Sequence, residues 1–293
     1  MGPWRDIERS IGAASGTPFA IESRAVIGGG CINECFAVRG AGRAYFAKLN
    51  APARAEMFAA EAAGLAEIAR SRTVRVPRPL CHGANAEASW LVLEYLELFP
   101  GDDRSMGQLG RNLARMHRVT GQQHGWHRDN TIGATPQINT GSDDWIEFWR
   151  ERRLRFQLRL AQSRGHGGRL IAAGERLLEG LPSFFRGYSP LPSLLHGDLW
   201  SGNAGRAAEG EPVIYDPAVY YGDREADLAM TELFGGFPRS FHDAYRSEFP
   251  LDAGYEARKH LYNLYHVLNH LNLFGGGYGA QAERMIGQML AQL

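Results

Sequence analysis

Short apolar runs of β-favouring residues fill the first part of the chain. They read FAIESRAVI (19–27), CFAV (35–38) and AYFAKL (44–49), and the glycine-containing segments GGG and RGAGR separate them. Runs of this length joined by glycine turns are typical of antiparallel strands. We therefore predict an antiparallel meander over residues 19–49.

A helix and two further strands are predicted next. The alanine-rich stretch at 53–70 consists of strong helix formers. Two apolar runs, VRVPRPL (74–80) and WLVLEYL (90–96), predict strands. The stretch FPGDDRS (99–105) then breaks the pattern, and we interpret it as a hinge.

Beyond the hinge, apolar residues recur three and four positions apart, which predicts amphipathic helices. The helical stretches lie at 108–119, 144–162, 169–181, 226–235 and 257–274. Only SLLH (193–196) and PVIYD (212–216) interrupt them, as the short strands of a small hairpin. Strands followed by helices indicate an α+β fold. We predict two lobes, an N-lobe over 1–98 and a mostly helical C-lobe over 99–293.

Charge and cysteine content narrow the function classes. The 32 basic and 32 acidic residues cancel, so nothing suggests a nucleic-acid binder or a polybasic membrane anchor. No apolar run approaches the roughly 20 residues of a membrane helix, and the N-terminus lacks a signal-peptide core. Three cysteines are too few for a disulfide framework. We expect a cytoplasmic protein, a monomer or weak homodimer, with a small-molecule partner.

Glu61 stands out because of its position in the predicted helix. Met57, Glu61, Leu65 and Ile68 follow one another at helical spacing, so the carboxylate lies within the apolar stripe. A buried carboxylate needs a cation, and Lys48 in the preceding strand is the nearest one. We expect an ion pair between them. The alternative is that Glu61 lies at the edge of the stripe and reaches water.

Three glycines, Gly28, Gly29 and Gly30, join two predicted strands. Such a loop lets backbone N–H groups approach phosphates. Most glycine turns bind nothing, but the strand–loop–strand context resembles the loop that covers the ATP phosphates in protein kinases. Cys31 lies on this loop, and its oxidation could block ATP, for example by cross-linking two chains.

The stretch LLHGDLWSGN (194–203) carries the densest candidate chemistry. His196, Asp198 and Asn203, followed by the strand-borne Asp216, match the kinase catalytic-loop spacing and its second metal-binding aspartate. Asp198 can orient a hydroxyl and accept its proton, while Asn203 and Asp216 offer hard oxygen ligands to Mg²⁺. The alternatives are a turn and a helix cap. One hypothesis, an ATP- and Mg²⁺-dependent phosphotransferase, accounts for all of these residues in order.

With these residues assembled, the sequence resembles the fructosamine kinase (ketosamine-3-kinase) family, within the protein-kinase-like group that includes aminoglycoside and choline kinases. The motifs that carry the resemblance are LLHGDLWSGN, GGGCIN, GWHRDNTIGATPQIN, DPAVYYGDREADLAMTELFGGF and LYHVLNHLNLFG. They span nearly the whole chain. In kinase-like folds, an aspartate at the position of Asp227 tends to brace the catalytic loop, whereas its sequence context also fits a helix N-cap.

The resemblance implies ATP-dependent phosphorylation of the sugar 3-hydroxyl of a ketosamine, such as a ribulosamine or fructosamine, as a deglycation repair step. The alternative is a phosphotransferase for another hydroxyl compound, such as an aminoglycoside or an amino alcohol. The resemblance makes Asp198 the catalytic base and Asn203 and Asp216 the metal ligands. It makes Lys48 the residue that holds the α- and β-phosphates and Glu61 its orienting partner. The backbone at Glu94, Tyr95 and Leu96 would face the adenine.

The sequence defines the residues that would contact the substrate less clearly than the catalytic residues. Trp200 follows the catalytic segment directly, and its ring plane suits the apolar face of a sugar, although a tryptophan is often simply packed. His266, Asn269 and His270 share one helical face among apolar residues. A polyhydroxylated substrate is one candidate partner for them, and internal hydrogen bonds are the other.

Overall fold

The computed structural model describes residues 2–28 and 32–293. The first part of the chain forms a five-stranded antiparallel sheet in the order β1-β2-β3-β5-β4. Its strands are β1 (Ser23–Ile27), β2 (Glu34–Gly40), β3 (Arg43–Asn50), β4 (Pro79–Ala84) and β5 (Ser89–Glu94). The predicted meander and the strand at 90–96 are confirmed.

Two helices cover this sheet. Helix α2 (Ala55–Ser71) confirms the alanine-rich prediction and packs through Leu65 and Ile68 into the same core as Leu91 of β5. The hydrophobic pattern did not lead us to predict α1 (Trp4–Ser15). Its fully buried Ile7 and Ile11, four residues apart, form a second core with residues of the sheet. That spacing is the helical signal in an otherwise polar segment.

The strand predicted at 74–80 is wrong over most of its length. Strand β4 begins only at Pro79, and Arg75 instead makes an isolated parallel bridge with Val213, far along the chain. Pro77 and Pro79 have no N–H to donate to a ladder, which limits strand pairing here.

The second part of the chain is mainly helical. The helices are α3 (Asp103–Met116), α4 (Trp145–Phe148), α5 (Phe156–Ser163), α6 (Arg169–Gly180), α7 (Glu225–Leu233), α8 (Arg239–Glu248), α9 (Tyr255–Phe274) and α10 (Tyr278–Leu290). A π-helical segment, Trp149–Arg155, links α4 to α5 within the helix predicted at 144–162. We predicted neither α8 nor α10. In α8 only Phe241 and Tyr245 are buried, so its apolar stripe is short.

Short strands complete this part and carry the candidate residues. Strands β6 (Leu98–Phe99), β10 (Ala204–Ala207) and β11 (Pro212–Ile214) form one sheet, β9 (Ser193–Leu195) pairs with β12 (Tyr220–Gly222), and β7 (Asn130–Ile132) pairs with β8 (Thr135–Gln137). The predicted hairpin of 193–196 with 212–216 is therefore wrong. Each of those runs has a different partner, and the partners were missed because they are only three or four residues long.

The predicted hinge at 99–105 has a defined structure. Phe99 ends β6, which pairs with β10, so the expected lobe boundary falls inside a strand. Asp102 then caps α3, since its carboxylate accepts the backbone N–H of Ser105 at 2.8 Å. One core joins α2 and β5 to α3, α7 and α9. The predicted α+β class is confirmed. Among the described residues, none of the helices combines the length and apolar character needed to cross a bilayer.

His124 makes the stability of this fold depend on pH. The side chain is 5% exposed, its Nδ1 has no partner, and its ring lies 5.0 Å from that of Trp145. Burial lowers the pKa of His124 to about 4, although Asp144 and Asp143 oppose the shift. Below the ordinary histidine pKa of about 6.5, the unfolded chain therefore binds a proton that the folded protein excludes. Stability is lost as the pH falls through this window.

We expect His124→Phe to weaken this pH dependence, because phenylalanine keeps the ring packing and cannot titrate. Between about pH 7 and about pH 5.5, the unfolding free energy of the variant should fall by about 1 kcal/mol less than that of the wild type. Urea unfolding of both proteins at the two pH values measures the difference. An equal fall in both proteins would show that His124 stays unprotonated, or protonates equally, in both states.

Candidate active site

The loop at 196–203 follows β9 and places three candidate residues between two strands. Gly197 has a left-handed φ of 82°, and a Cβ at this position would overlap the carbonyl oxygen of Ala218. Only glycine allows the loop to approach the segment after β11 so closely. The Gly197 position therefore fixes how near Asp198 lies to the segment that carries Asp216, which follows β11 and, contrary to the prediction, is not in a strand.

His196 supports this loop from inside. Its Nε2 lies 3.0 Å from the carbonyl oxygen of Tyr215, which can only accept, so Nε2 carries the proton. Its Nδ1 then accepts the backbone N–H of Asp198 at 3.2 Å. Burial lowers the pKa of His196, which keeps the ring neutral and this tautomer in place.

Asp227 braces the same loop from α7. Its two carboxylate oxygens accept the backbone N–H groups of His196 at 2.7 Å and Gly197 at 2.8 Å. The N-cap of α7 is Arg224, so the bracing interpretation of Asp227 agrees with the contacts and the N-cap alternative does not. Burial alone would raise the pKa of Asp227, but hydrogen bonds from His117 and Gly197 outweigh it and lower the pKa.

His117, which we did not predict from the sequence, completes this brace. Its Nε2 donates to Asp227 at 3.1 Å, and its Nδ1 lies 2.8 Å from the hydroxyl of Tyr245. The ring is fully buried at the end of α3. A histidine next to an apolar helical stripe was the only signal for it, and many core histidines give the same signal.

Asp198 has an unusual environment for a carboxyl group. Burial, together with the negative charges of Asp216 and Asp227, raises the pKa of Asp198 to about 7, while the Asn203 hydrogen bond opposes the shift. Asn203 donates from Nδ2 to the Asp198 carbonyl at 2.9 Å. That contact leaves the Asn203 Oδ1 available as an oxygen ligand. A carboxyl group with a pKa near neutrality can accept a proton efficiently.

Lys48 connects two distant parts of the chain. The ammonium is 3% exposed and lies 2.7 Å from a Glu61 oxygen and 2.5 Å from an Asp216 oxygen. The expected Lys48–Glu61 ion pair is present. Burial alone would lower the pKa of Lys48, but the carboxylates of Asp216 and Glu61 outweigh burial and raise it. Lys48 is therefore a permanent cation in the cleft.

Asp216 follows β11 and has a left-handed φ of 57°. A non-glycine residue in this conformation is strained. Its side chain is 47% exposed, and its Oδ1 accepts the hydrogen bond from Lys48. One carboxylate oxygen thus remains available beside the Asn203 loop.

The expected nucleotide-contacting residues are only partly described. Gly28 is exposed with open space around its Cα, whereas Gly29, Gly30 and Cys31 lie outside the described residues. The Glu94 carboxylate contacts the Arg75 guanidinium at 2.8 Å. Tyr95 lies beneath the Arg39 guanidinium, and Leu96 follows after the end of β5.

The four expected substrate residues differ in their surroundings. Trp200 is 40% exposed, and its ring lies over Gly202. His266 is buried, its Nδ1 has no partner, and burial lowers its pKa to about 3. Asn269 has internal partners, since it donates to the Ile132 carbonyl and accepts from Gln157. His270 donates to the His266 carbonyl at 2.8 Å.

The close approach at Gly197 generates a prediction. We expect Gly197→Ala to lower activity by at least about 100-fold, because the added Cβ must displace either the loop or the Ala218 carbonyl. Gly187→Ala is the matched control, since Gly187 also has a left-handed φ, 72°, but nothing lies near its Cβ position. The control should lose only about 1 kcal/mol of stability through backbone strain and keep its activity. Equal activity losses in the two variants would contradict this account.

Comparisons with known proteins agree with the geometry. Residues 3–292 match the family model described as "Fructosamine kinase". A "probable ketoamine kinase" of Synechocystis sp. is 49% identical and covers 98% of this chain and 97% of its own. A chloroplastic protein-ribulosamine 3-kinase of Arabidopsis thaliana is 43% identical over 91% of this chain and 82% of its own.

Solved structures support the same assignment. The crystal structure of a candidate fructosamine-3-kinase from Haemophilus somnus has a TM-score of 0.91 at 28% identity, covering 98% of this chain and 97% of its own. Other phosphotransferases share only the fold, with TM-scores of 0.57 and 0.63 at 13% and 16% identity. The two-lobed, protein-kinase-like fold expected from the sequence is therefore confirmed. Because the family model covers residues 3–292 and a relative that is 49% identical matches over 97% of its own length, the chain belongs to the fructosamine kinase family.

Proposed function

We propose that this chain is an ATP-dependent kinase that phosphorylates the sugar 3-hydroxyl of ketosamines. The observation that carries the proposal is the pairing of Lys48 with both Glu61 and Asp216, beside a carboxyl group, Asp198, whose pKa is near neutrality. The relatives named ketoamine kinase and protein-ribulosamine 3-kinase support the substrate class. The aminoglycoside and amino-alcohol alternatives have no comparable support.

Lys48 is the proposed ligand of the ATP α- and β-phosphates. Its ammonium is buried and held by Glu61, so its position is fixed before nucleotide binds. We further propose that residues 1–98 bind the nucleotide and that residues 99–293 carry the catalytic and substrate groups. The Glu94 side chain is occupied by Arg75, which leaves the backbone of Glu94, Tyr95 and Leu96 to face the adenine.

Asn203 and Asp216 are the proposed ligands of Mg²⁺. Both present a free oxygen, and carboxamide and carboxylate oxygens are ligands that Mg²⁺ accepts together with phosphate oxygens. When bound, the ion would neutralise the charge that develops on the phosphates. The donor set of this chain therefore fits the metal.

Asp198 is the proposed catalytic base. It would orient the sugar 3-hydroxyl and accept its proton as the new oxygen–phosphorus bond forms and the bond to ADP breaks. Asp227 and His196 hold the backbone on which this carboxyl group depends. Near-neutral pKa values suit this role at physiological pH.

Trp200, His266 and His270 are the proposed sugar contacts. The Trp200 ring is partly exposed beside the loop that carries Asp198, and the unpartnered Nδ1 of His266 can accept a hydrogen bond from a sugar hydroxyl. The amide of Asn269 is hydrogen-bonded to Gln157 and Ile132, so this residue holds α9 in place, as the alternative of internal hydrogen bonds predicts.

Turnover of ribulosyl-lysine and fructosyl-lysine with Mg·ATP tests the substrate class directly. We expect phosphorylation of one or both, with an aminoglycoside and choline inert under the same conditions. One sugar carbon changes such discrimination by only about 1–3 kcal/mol, so both ketosamines must be measured. Turnover of the aminoglycoside with inert ketosamines would overturn the proposal.

Asp198→Asn should lower kcat by about 1,000-fold, because the amide cannot accept the hydroxyl proton. The affinity for ATP should change by less than about threefold, since Lys48 and Glu61 are untouched. Steady-state kinetics and nucleotide titration measure the two quantities. Undiminished turnover in a folded variant would remove Asp198 from the mechanism.

Glu61→Gln should raise KM for ATP about tenfold, because Lys48 loses its fixed carboxylate and is drawn to Asp216 alone. KM for the ketosamine should stay within about twofold. Glu56→Gln on the same helix is the control, since the Glu56 side chain is 91% exposed and pairs with Arg128 at the surface. A similar rise in both variants would contradict the role of Glu61.

A further inference from the structure

The segment that follows Asp216 is held in an unfavourable backbone conformation. Asp216 has a left-handed φ of 57°, and Pro217 comes directly after it. A proline restricts the residue before it to extended conformations, so the strain at Asp216 has two sources. Such a conformation persists only where surrounding contacts determine it. His196 holds the Tyr215 carbonyl and the Ala218 N–H on either side of Asp216, and further contacts come from an element with no assigned role.

The β7–β8 hairpin supplies these contacts. Asn130 donates from Nδ2 to the Val219 carbonyl at 2.8 Å, and Gln137 donates from Nε2 to the Ala218 carbonyl at 3.0 Å. Asn130 and Gln137 are paired in register on the two strands of the hairpin. Two consecutive carbonyls just beyond Asp216 are therefore anchored by one rigid unit.

The orientation of both amides is set by their other partners. The Gln137 Oε1 accepts the Tyr265 hydroxyl at 2.7 Å, so its Nε2 must face Ala218. The Asn130 Oδ1 accepts N–H groups of Gln137 and Asn139, both at 2.9 Å, so its Nδ2 must face Val219. Neither the Asn130 nor the Gln137 side-chain amide can rotate by 180° without losing these hydrogen bonds.

The side-chain amides of Gln137, Asn130 and Asn139 are hydrogen-bonded in series, and Arg153 holds the last of them, Asn139. Its guanidinium is fully buried and donates to Asn139 Oδ1 at 2.7 Å and to the Ile138 carbonyl at 2.6 Å. Among the described residues it forms no ion pair with a carboxylate, and its charge instead lies over the rings of Phe148 and Tyr220. A buried cation without a carboxylate is costly, and this one comes from a π-helical segment, a feature frequent at functional sites.

We propose that Asn130 and Gln137 are positioning residues that hold residues 217–219 and thereby keep Asp216 in the conformation that presents its free oxygen to the metal. This inference rests on the proposed role of Asp216 as a metal ligand. Neither amide is among the proposed substrate or nucleotide contacts. They act through the backbone on the far side of Asp216 from β11.

Gln137→Met tests the inference, because methionine keeps the length of the side chain and removes its three hydrogen bonds, to Ala218, Asn130 and Tyr265. Calorimetric titration of the full-length chain with ADP, in excess Mg²⁺ and in EDTA, gives two affinities. We expect the Mg·ADP affinity of the variant to fall about tenfold, as is typical when a residue that orients a metal ligand is lost. The affinity for ADP in EDTA should stay within about twofold.

Asn272→Leu is the matched control. Asn272 is a buried amide on α9 with two hydrogen bonds to Gln157, at 3.0 and 2.7 Å, and none to residues 217–219. Its loss should lower the unfolding temperature as Gln137→Met does, yet leave the ratio of the two ADP affinities unchanged. Asn130→Ser provides a second variant, with the same expected change in that ratio, if Gln137→Met fails to fold.

Three results would overturn the inference. Equal losses of ADP affinity with and without Mg²⁺ would show a general disturbance of the cleft, and unchanged affinities in folded variants would show that Asp216 holds its conformation alone. A wild type that binds ADP equally with and without Mg²⁺ would remove the metal role itself. Ketosamine turnover is measured separately, so failure of the substrate proposal stays distinguishable from these results.

Discussion

The buried ammonium of Lys48 is the constraint on which the rest of the site depends. It is almost fully removed from water, and a charge in that position must be paired. Glu61 pairs with it from a helix 13 residues away in the chain, and Asp216 from 168 residues away. The packing of α2 on the sheet and the path of the chain after β11 must therefore both bring a carboxylate to one point.

Placing Asp216 against Lys48 costs conformational free energy, and hydrogen bonds from the surrounding structure offset that cost. The backbone at Asp216 is left-handed, and the neighbouring loop can approach only because residue 197 is glycine. Separate sets of hydrogen bonds hold the 196–203 loop and the segment that follows Asp216. Asp227 holds the 196–203 loop through two backbone N–H groups, and the β7–β8 hairpin holds two carbonyls beyond Asp216. The strained geometry is thus built from ordinary hydrogen bonds placed on both sides of it.

The elements that we predicted correctly from the sequence are those with a clear local pattern of apolar residues. The apolar stripe of α2 placed Glu61 opposite Lys48, and the glycine-separated runs predicted the meander. Helix α8 and strands β10 and β12 were missed because they are short and acquire their stability from partners distant in sequence. His117, Asn130 and Gln137 were missed for the same reason. A buried amide or imidazole looks like a loop or core residue until long-range contacts show which backbone group it holds.

Asp227 and the two amides of the β7–β8 hairpin both support the site, but they differ in their electrostatic effect on it. Asp227 carries a negative charge, and that charge helps to raise the pKa of Asp198. A change at Asp227 therefore alters both the position of the 196–203 loop and the basicity of its carboxyl group. Asn130 and Gln137 are neutral amides, so a change at either removes no charge from the site. Such a change reaches the proton affinity of Asp198 only through the position of the Asp216 carboxylate, whereas a change at Asp227 removes a charge as well.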